Sequence, residues 1–220
     1  GESPRPGSFG TDAAEEIQRV VPVIRELVAR LAVPISVDTS KPEVMFAAVD
    51  AGAGLIIDIR ALMGDGAIEA ARCLDVPVCL MHMRGKPETM GNDPHYQDVV
   101  REVADFLRYR VAACVKGGIS EQQLLIDPGF GFGKNFDHNR RLLLELNVLA
   151  ELGLPLTVGF SRKGFVGMLL GDLNRDRAIG SAGLALLAVQ KGARVVRAHD
   201  VVPTRDLIRS WERLQAFEGH

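Results

Sequence analysis

A chain of 220 residues, 47% hydrophobic and 25% charged with a net charge of −2, is long enough to bury a substantial core as one globular domain or one large α/β barrel. Acidic and basic residues are mixed along it and aromatics make up only 5%, which excludes a nucleic-acid surface, a polybasic membrane patch and a base-stacking platform. The three cysteines, Cys73, Cys79 and Cys114, include no CxxC pair and read as small buried thiols of a reducing, cytoplasmic compartment, and no apolar run reaches membrane-spanning length.

The chain opens on "GESPRPGSFG", rich in glycine, proline and serine. This reads as a loop, and a loop normally follows something, so the chain is expected to begin inside a larger protein. Residues 12–31 then repeat apolar side chains (Ile17, Val20, Val21, Ile24, Leu27, Val28, Leu31) at helical spacing. Asp12 and Glu15 suit a capping pair, and Pro22 is expected to kink that helix. From there strands and helices alternate. The strands are "VPISVDT" (33–39), "GLIIDIR" (54–60), "VPVCLMHM" (76–83), "LLIDPG" (124–129), "LPLTVGFSR" (154–162) and "ARVVRAHD" (193–200). The helices fall at 42–51, 65–74, 97–117, 137–152, 178–191 and 203–217.

The strand segments are almost continuously apolar, the mark of strands buried on both faces. Alternation with helices makes them parallel, joined by right-handed crossovers. Each apolar run ends in polar residues: Asp38, Asp58 and Arg60, His82, Asp127, Ser161 with Arg162 and Lys163, and Arg197 with His199 and Asp200. An open sheet would string these ends along a line. A (β/α)8 barrel gathers them round one pocket at its C-terminal face, so a TIM barrel is the expected fold. Six strands are two short of eight. The expectation is one domain, residues 1–220, lacking strand 1, helix 1 and most of strand 2 of the barrel.

The stretch "LLIDPGFGFGK" (124–134) looks like a phosphate loop, but its spacing is one residue short of GxxxxGK[ST] and the hydroxyl residue is absent. Its glycines would instead let backbone approach a flat ligand, with Asp127 pointing into the pocket; a glycine-rich turn in which Asp127 caps the next helix is the alternative. Asp38 ends another strand in the same way. Carboxylates in an apolar barrel mouth need partners, and the adjacent N–H donors of an aminopyrimidine edge supply them. Lys163 offers a donor to a ring carbonyl or nitrogen. Arg197 and His199, two apart on one strand, point to one side and suit an anionic phosphate group.

"GES.RPG", "SVDTSKP", "VCLMHMRGKP.TM", "LLIDPGFGFGKN..HN", "VGFSRKGFVG" and "RAHDV" occur in that order from Gly1 to about residue 215. The chain thereby resembles the dihydropteroate synthase family. The resemblance implies a TIM barrel, usually a homodimer, that joins 6-hydroxymethyl-7,8-dihydropterin pyrophosphate to 4-aminobenzoate with Mg2+. It places Asp38, Asp127 and Lys163 on the pterin, with Met81 lining the pocket. Arg197 and His199 fall on the pyrophosphate, and Arg5, Pro6, Phe132 and Ser161 on the aminobenzoate side, where sulfonamides compete. Lys163, Arg197 and His199 are the implied catalytic group. No metal ligand is expected in this chain, because the family's asparagine lies on the first strand. His82 and Cys79 are expected to be structural.

Two departures stand out. Ile57 occupies the place of a pterin-binding asparagine, and Pro4 that of a threonine beside the aminobenzoate site. They raise a second reading, an impaired or non-catalytic pterin-binding paralogue. A corrinoid-linked methyltransferase barrel shares the pterin-facing polar residues but gives no reason for "SRK" together with "RAHD".

Overall fold

A computed structural model describes residues 1–3, 5, 7–8, 10–85 and 94–217. Helix α1 (Ala13–Arg30) leads into six strands: β1 (Ile35–Asp38), β2 (Ala53–Asp58), β3 (Val78–Met81), β4 (Leu124–Asp127), β5 (Leu156–Val158) and β6 (Ala193–Val196). Between and after them lie α2 (Pro42–Asp50), α3 (Ala67–Leu74), α4 (Val99–Lys116), α5 (Phe136–Leu144), α6 (Leu146–Ala150), α7 (Gly164–Leu169), α8 (Ala178–Gln190) and α9 (Val201–Phe217). The strands pair in chain order and all pairs are parallel.

The sheet is curled. Six flat strands spaced about 4.8 Å apart would set the first and last roughly 24 Å from each other. Yet Arg197, just past β6, bonds Asp38, the last residue of β1, at 2.8 Å. That contact requires the arc of a half-barrel.

The pleat sorts side chains between the two faces. Val37, Ile56, Leu80, Ile126 and Leu156 face outward and pack with helical residues such as Met45, Leu107 and Leu142 in one core. The other face carries Asp38, Ile57 and Cys79 in lateral register, with Leu125 beside Cys79 and Met81 beside Asp127. That concave face holds two of the polar strand ends, Asp38 and Asp127.

Several local readings change. The strands are shorter than their apolar runs, because "HM", "PG" and "GFSR" leave the ladder as loops. Arg197 and His199 therefore sit just beyond β6 rather than on it. The stretch 137–152 is two helices, parted at Glu145, whose ψ of 24° is not helical. Helix α7 was not foreseen, since the glycines of "GFVGML" hide any apolar period. Asp12 does cap α1 by accepting the Glu15 amide, but the Glu15 carboxylate turns to Arg19 instead of closing the pair. Pro22 lies inside α1, which continues through it.

Candidate active site

Asp127 is 3% exposed at the end of β4. Its Oδ1 accepts the Gly129 amide at 2.7 Å, two residues on, and it caps no helix; Asn135 caps α5. Burial pushes its carboxyl upward, opposed by that amide and by the charges of Lys163, Arg197 and Lys134. A carboxylate gripped only along one side keeps lone pairs for a ligand's N–H groups.

Lys163, at the start of α7, donates to the Phe130 carbonyl at 2.5 Å, and its ammonium lies 4.6 Å from the centre of the Phe132 ring. Burial brings it down to about 8; Asp127 opposes this and Arg197 adds to it. Arg197 is pulled down by burial, but the Asp38 carboxylate outweighs that and leaves it raised. Met81, 1% exposed, lines the floor beside Asp127.

On the far side, the Ser161 hydroxyl oxygen accepts the His199 amide at 3.0 Å and lies 2.8 Å from His199 Nδ1. Next to it Arg162 grips Asp200 with two parallel bonds, 3.1 and 2.6 Å long. The fold therefore brings Asp38, Asp127, Lys163, Met81, Arg197, Phe132, Ser161 and His199 to one end of the curled sheet. It joins Asp38 to Arg197 and Ser161 to His199, pairs that the sequence had assigned to different ligands.

Arg5 is different. It is exposed in the opening loop, where its carbonyl accepts from Ser8, and among the described residues no contact ties its side chain to Phe132 or Ser161. Pro6 and Pro4 lie outside the described residues. Ile57 is buried between Asp38 and Cys79 on the concave face, where it offers shape and no hydrogen bond.

The glycine stretch is not a phosphate loop. A phosphate-loop lysine extends to its ligand, whereas Lys134 is buried and its Nζ bonds inward. Nζ donates to the carbonyls of Gly129 and Phe132, each at 3.0 Å, and lies 2.9 Å from His82 Nδ1. Two of the glycines serve the neighbouring loop and not a flat ligand. A Cβ on Gly129 would sit 1.9 Å from the His82 carbonyl oxygen, and one on Gly133 would sit 2.3 Å from that of Arg84. Asn139 completes the pinning by accepting from the Gly131 amide and donating to the Lys134 carbonyl. From the sequence Lys134 stood out only as the last residue of the phosphate-loop look-alike, and Asn139 did not stand out at all; the "HN" pair was its signal.

Asp58 also departs from the expected ring of polar ends. It faces the helix layer, where Ser40, the Arg60 amide and the Leu62 amide donate to it. It supports a turn in which Ala61 and Leu62 both adopt positive φ, 50° and 55°. Buried Arg110 holds the same turn from behind through the carbonyls of Ala61 and Leu62.

Among the described residues no three His, Cys, Asp or Glu side chains gather to hold a metal ion, and no helix is long and apolar enough to cross a membrane.

The family model described as "Pterin binding enzyme" matches residues 1–199. The dihydropteroate synthase of Escherichia coli (strain K12) is 47% identical over 209 residues, covering 95% of this chain and 74% of its own length. The Yersinia pestis dihydropteroate synthase in complex with a sulfonamide drug superposes with a TM-score of 0.94 at 45% identity, over 98% of this chain and 78% of that one. The Xanthomonas albilineans dihydropteroate synthase in complex with 7,8-dihydropteroate gives 0.88 at 48% identity, over 96% and 78%.

Proposed function

We propose that this chain, which belongs to the pterin-binding enzyme family and within it to the dihydropteroate synthases, holds a dihydropterin at Asp38, Asp127 and Lys163 and its departing pyrophosphate at Arg197 and His199. It is a transferase of folate biosynthesis that joins 6-hydroxymethyl-7,8-dihydropterin pyrophosphate to 4-aminobenzoate. The similarity to dihydropteroate synthases over 95% of the chain gives the paralogue reading no support.

The observation that carries the site assignment is the union of a buried carboxylate, Asp127, with a cationic rim, Lys163 and Arg197, at one end of the curled sheet. Asp127 accepts from the pterin's amide and amine edge, Lys163 donates to a ring acceptor, and Met81 and Ile57 pack beside the ring. Pyrophosphate leaves from a methylene on an electron-rich ring. The cationic character left behind is steadied by the carboxylates, and Arg197 and His199 take up the departing anion. The aminobenzoate amine then attacks from the side of Phe132 and Ser161, with Arg5 and Pro6 from the opening loop. No enzyme nucleophile is needed.

Mg2+ neutralises a leaving pyrophosphate when bound with it. The described side chains do not by themselves form a cage for the ion, and the roles above belong to the chain's own groups. In the same reading residues 1–220 are one pterin-binding domain of a cytoplasmic homodimer. Their strands are the last six of an eight-stranded barrel, and two more between β6 and β1 would close the ring.

Calorimetry with a dihydropterin pyrophosphate tests the assignment. Asp127→Asn removes a charged acceptor, which is worth ~1.5–3 kcal/mol, or roughly a 10- to 150-fold loss of affinity. Unaltered affinity would place the pterin elsewhere.

A further inference from the structure

Among the described residues the hydroxyl of Ser161 has two partners, both on His199. Its oxygen accepts the backbone amide at 3.0 Å, and it lies 2.8 Å from the ring nitrogen Nδ1. With one lone pair occupied by the amide, the hydroxyl proton is free for Nδ1. A neutral imidazole that accepts at Nδ1 carries its own proton on Nε2. The pair is also held in place one residue further along. Arg162 and Asp200 form a two-bond fork, the Arg162 amide donates to Ser181 Oγ at 3.1 Å, and Arg177 donates to the Arg162 carbonyl at 3.0 Å. Arg162 has a φ of 59°, the backbone turn that sets residues 161 and 162 against 199 and 200 as two adjacent rungs.

We infer that Ser161 is a positioning residue for the leaving group: its hydroxyl fixes the His199 tautomer so that Nε2–H is the donor presented to the departing pyrophosphate. This rests on the assignment of the anion to Arg197 and His199, and it gives Ser161 a task beyond lining the aminobenzoate side. A single oxygen then joins the two halves of the site. A change made at Ser161 against an aminobenzoate competitor would also disturb the group that receives the pyrophosphate.

The tautomer is read directly from the ring 15N shifts of His199 in the free chain, at a pH about two units above the ordinary histidine value. The expected result is a protonated Nε2 and a bare Nδ1. Ser161→Ala should give mixed tautomers, and Ser161→Thr, which keeps the hydroxyl, should restore the single one. A protonated Nδ1 in the wild type, or unchanged shifts in the alanine variant, would overturn the inference.

Calorimetry with inorganic pyrophosphate and Mg2+ supplies the second arm. Ser161→Ala should weaken binding about fivefold, the worth of one neutral hydrogen bond. In a His199→Ala background it should cost nothing further. An equal loss with and without His199 would show that Ser161 acts on its own. A loss confined to 4-aminobenzoate affinity would return it to the aminobenzoate side alone. A chain that binds no pyrophosphate would refute the anion-site assignment, while the nitrogen shifts still decide the Ser161–His199 inference.

Discussion

Replacing Lys134 with methionine asks what a buried lysine contributes behind the site. Methionine keeps the length and bulk of the side chain and removes its donors. The Lys134 amine donates to two carbonyls at 3.0 Å and meets His82 Nδ1 at 2.9 Å, so three polar atoms lose their partner at once. An unpaired buried polar group costs ~1–3 kcal/mol, so at the lower end the three together cost about 3 kcal/mol. Lifting the amine's own desolvation offsets part of this, and a net loss of about 2 kcal/mol is expected. With an m-value of ~2 kcal/mol/M the urea midpoint falls by about 1 M at constant m. A midpoint that stays or rises would show that the amine is a net liability and that the loop is held by its glycines alone.

The same variant has a pH signature. Burial drives the Lys134 amine well below the ordinary lysine value, against the pull of Asp127. Between the lowered and the ordinary value the unfolded chain binds the extra proton, so wild-type stability grows as pH rises through that window and is lost as pH falls. Methionine has no proton to bind. The stability gap between the two proteins should therefore widen toward alkaline pH, and a constant gap would refute the burial argument.

Two further outcomes follow from the site. Lys163, brought to about 8, loses its charge above that pH, so kcat/KM for the pterin substrate should fall on the alkaline side of about 8. Lys163→Arg should move that limb beyond the measurable range, whereas a wild-type profile flat to high pH would remove Lys163 from the reacting site. Ile57→Asn, on the concave face beside Asp38, should tighten pterin binding by roughly 5- to 150-fold if it supplies a missing hydrogen bond, and unchanged calorimetric affinity would mean that the position is indifferent.

The fold was legible where apolarity alone decides. Strands buried on both faces write themselves as continuous runs, and the polar residue that ends each run marks the open end of the sheet. Helix α7 was not legible, because Gly164 and Gly167 leave no period to read. Nor was the split at Glu145, since the apolar spacing of α5 continues into α6 across it. The site was legible as residue types and not as partnerships. Nothing local in "DPGFGFGK" says that its lysine turns inward, because two of its partners are backbone carbonyls, which carry no residue signal, and the third, His82, lies 52 residues away. Asp58 looked like another pocket carboxylate because strand ends were counted without assigning them to a face. The pleat puts Asp58 one step out of phase with Asp38, which pairs with its neighbour Ile57.

The pairing of Asp38 with Arg197 across 159 residues bears on how the substrate enters. Before substrate arrives the two groups satisfy each other. A pterin that takes Asp38 leaves Arg197 without its carboxylate, a loss that only an anion on the same ligand makes good. Pterin and pyrophosphate are then coupled through one ion pair, and a dihydropterin lacking the pyrophosphate should bind more weakly than the loss of the anion contacts alone explains. Arg197→Met removes that coupling, because Asp38 is then free from the start. The variant should lose affinity for the pyrophosphate ester while the bare dihydropterin binds as well as to the wild type or better. A parallel loss for both ligands, measured by calorimetry, would mean that Arg197 holds the pterin side itself and that the ion pair is no gate between them.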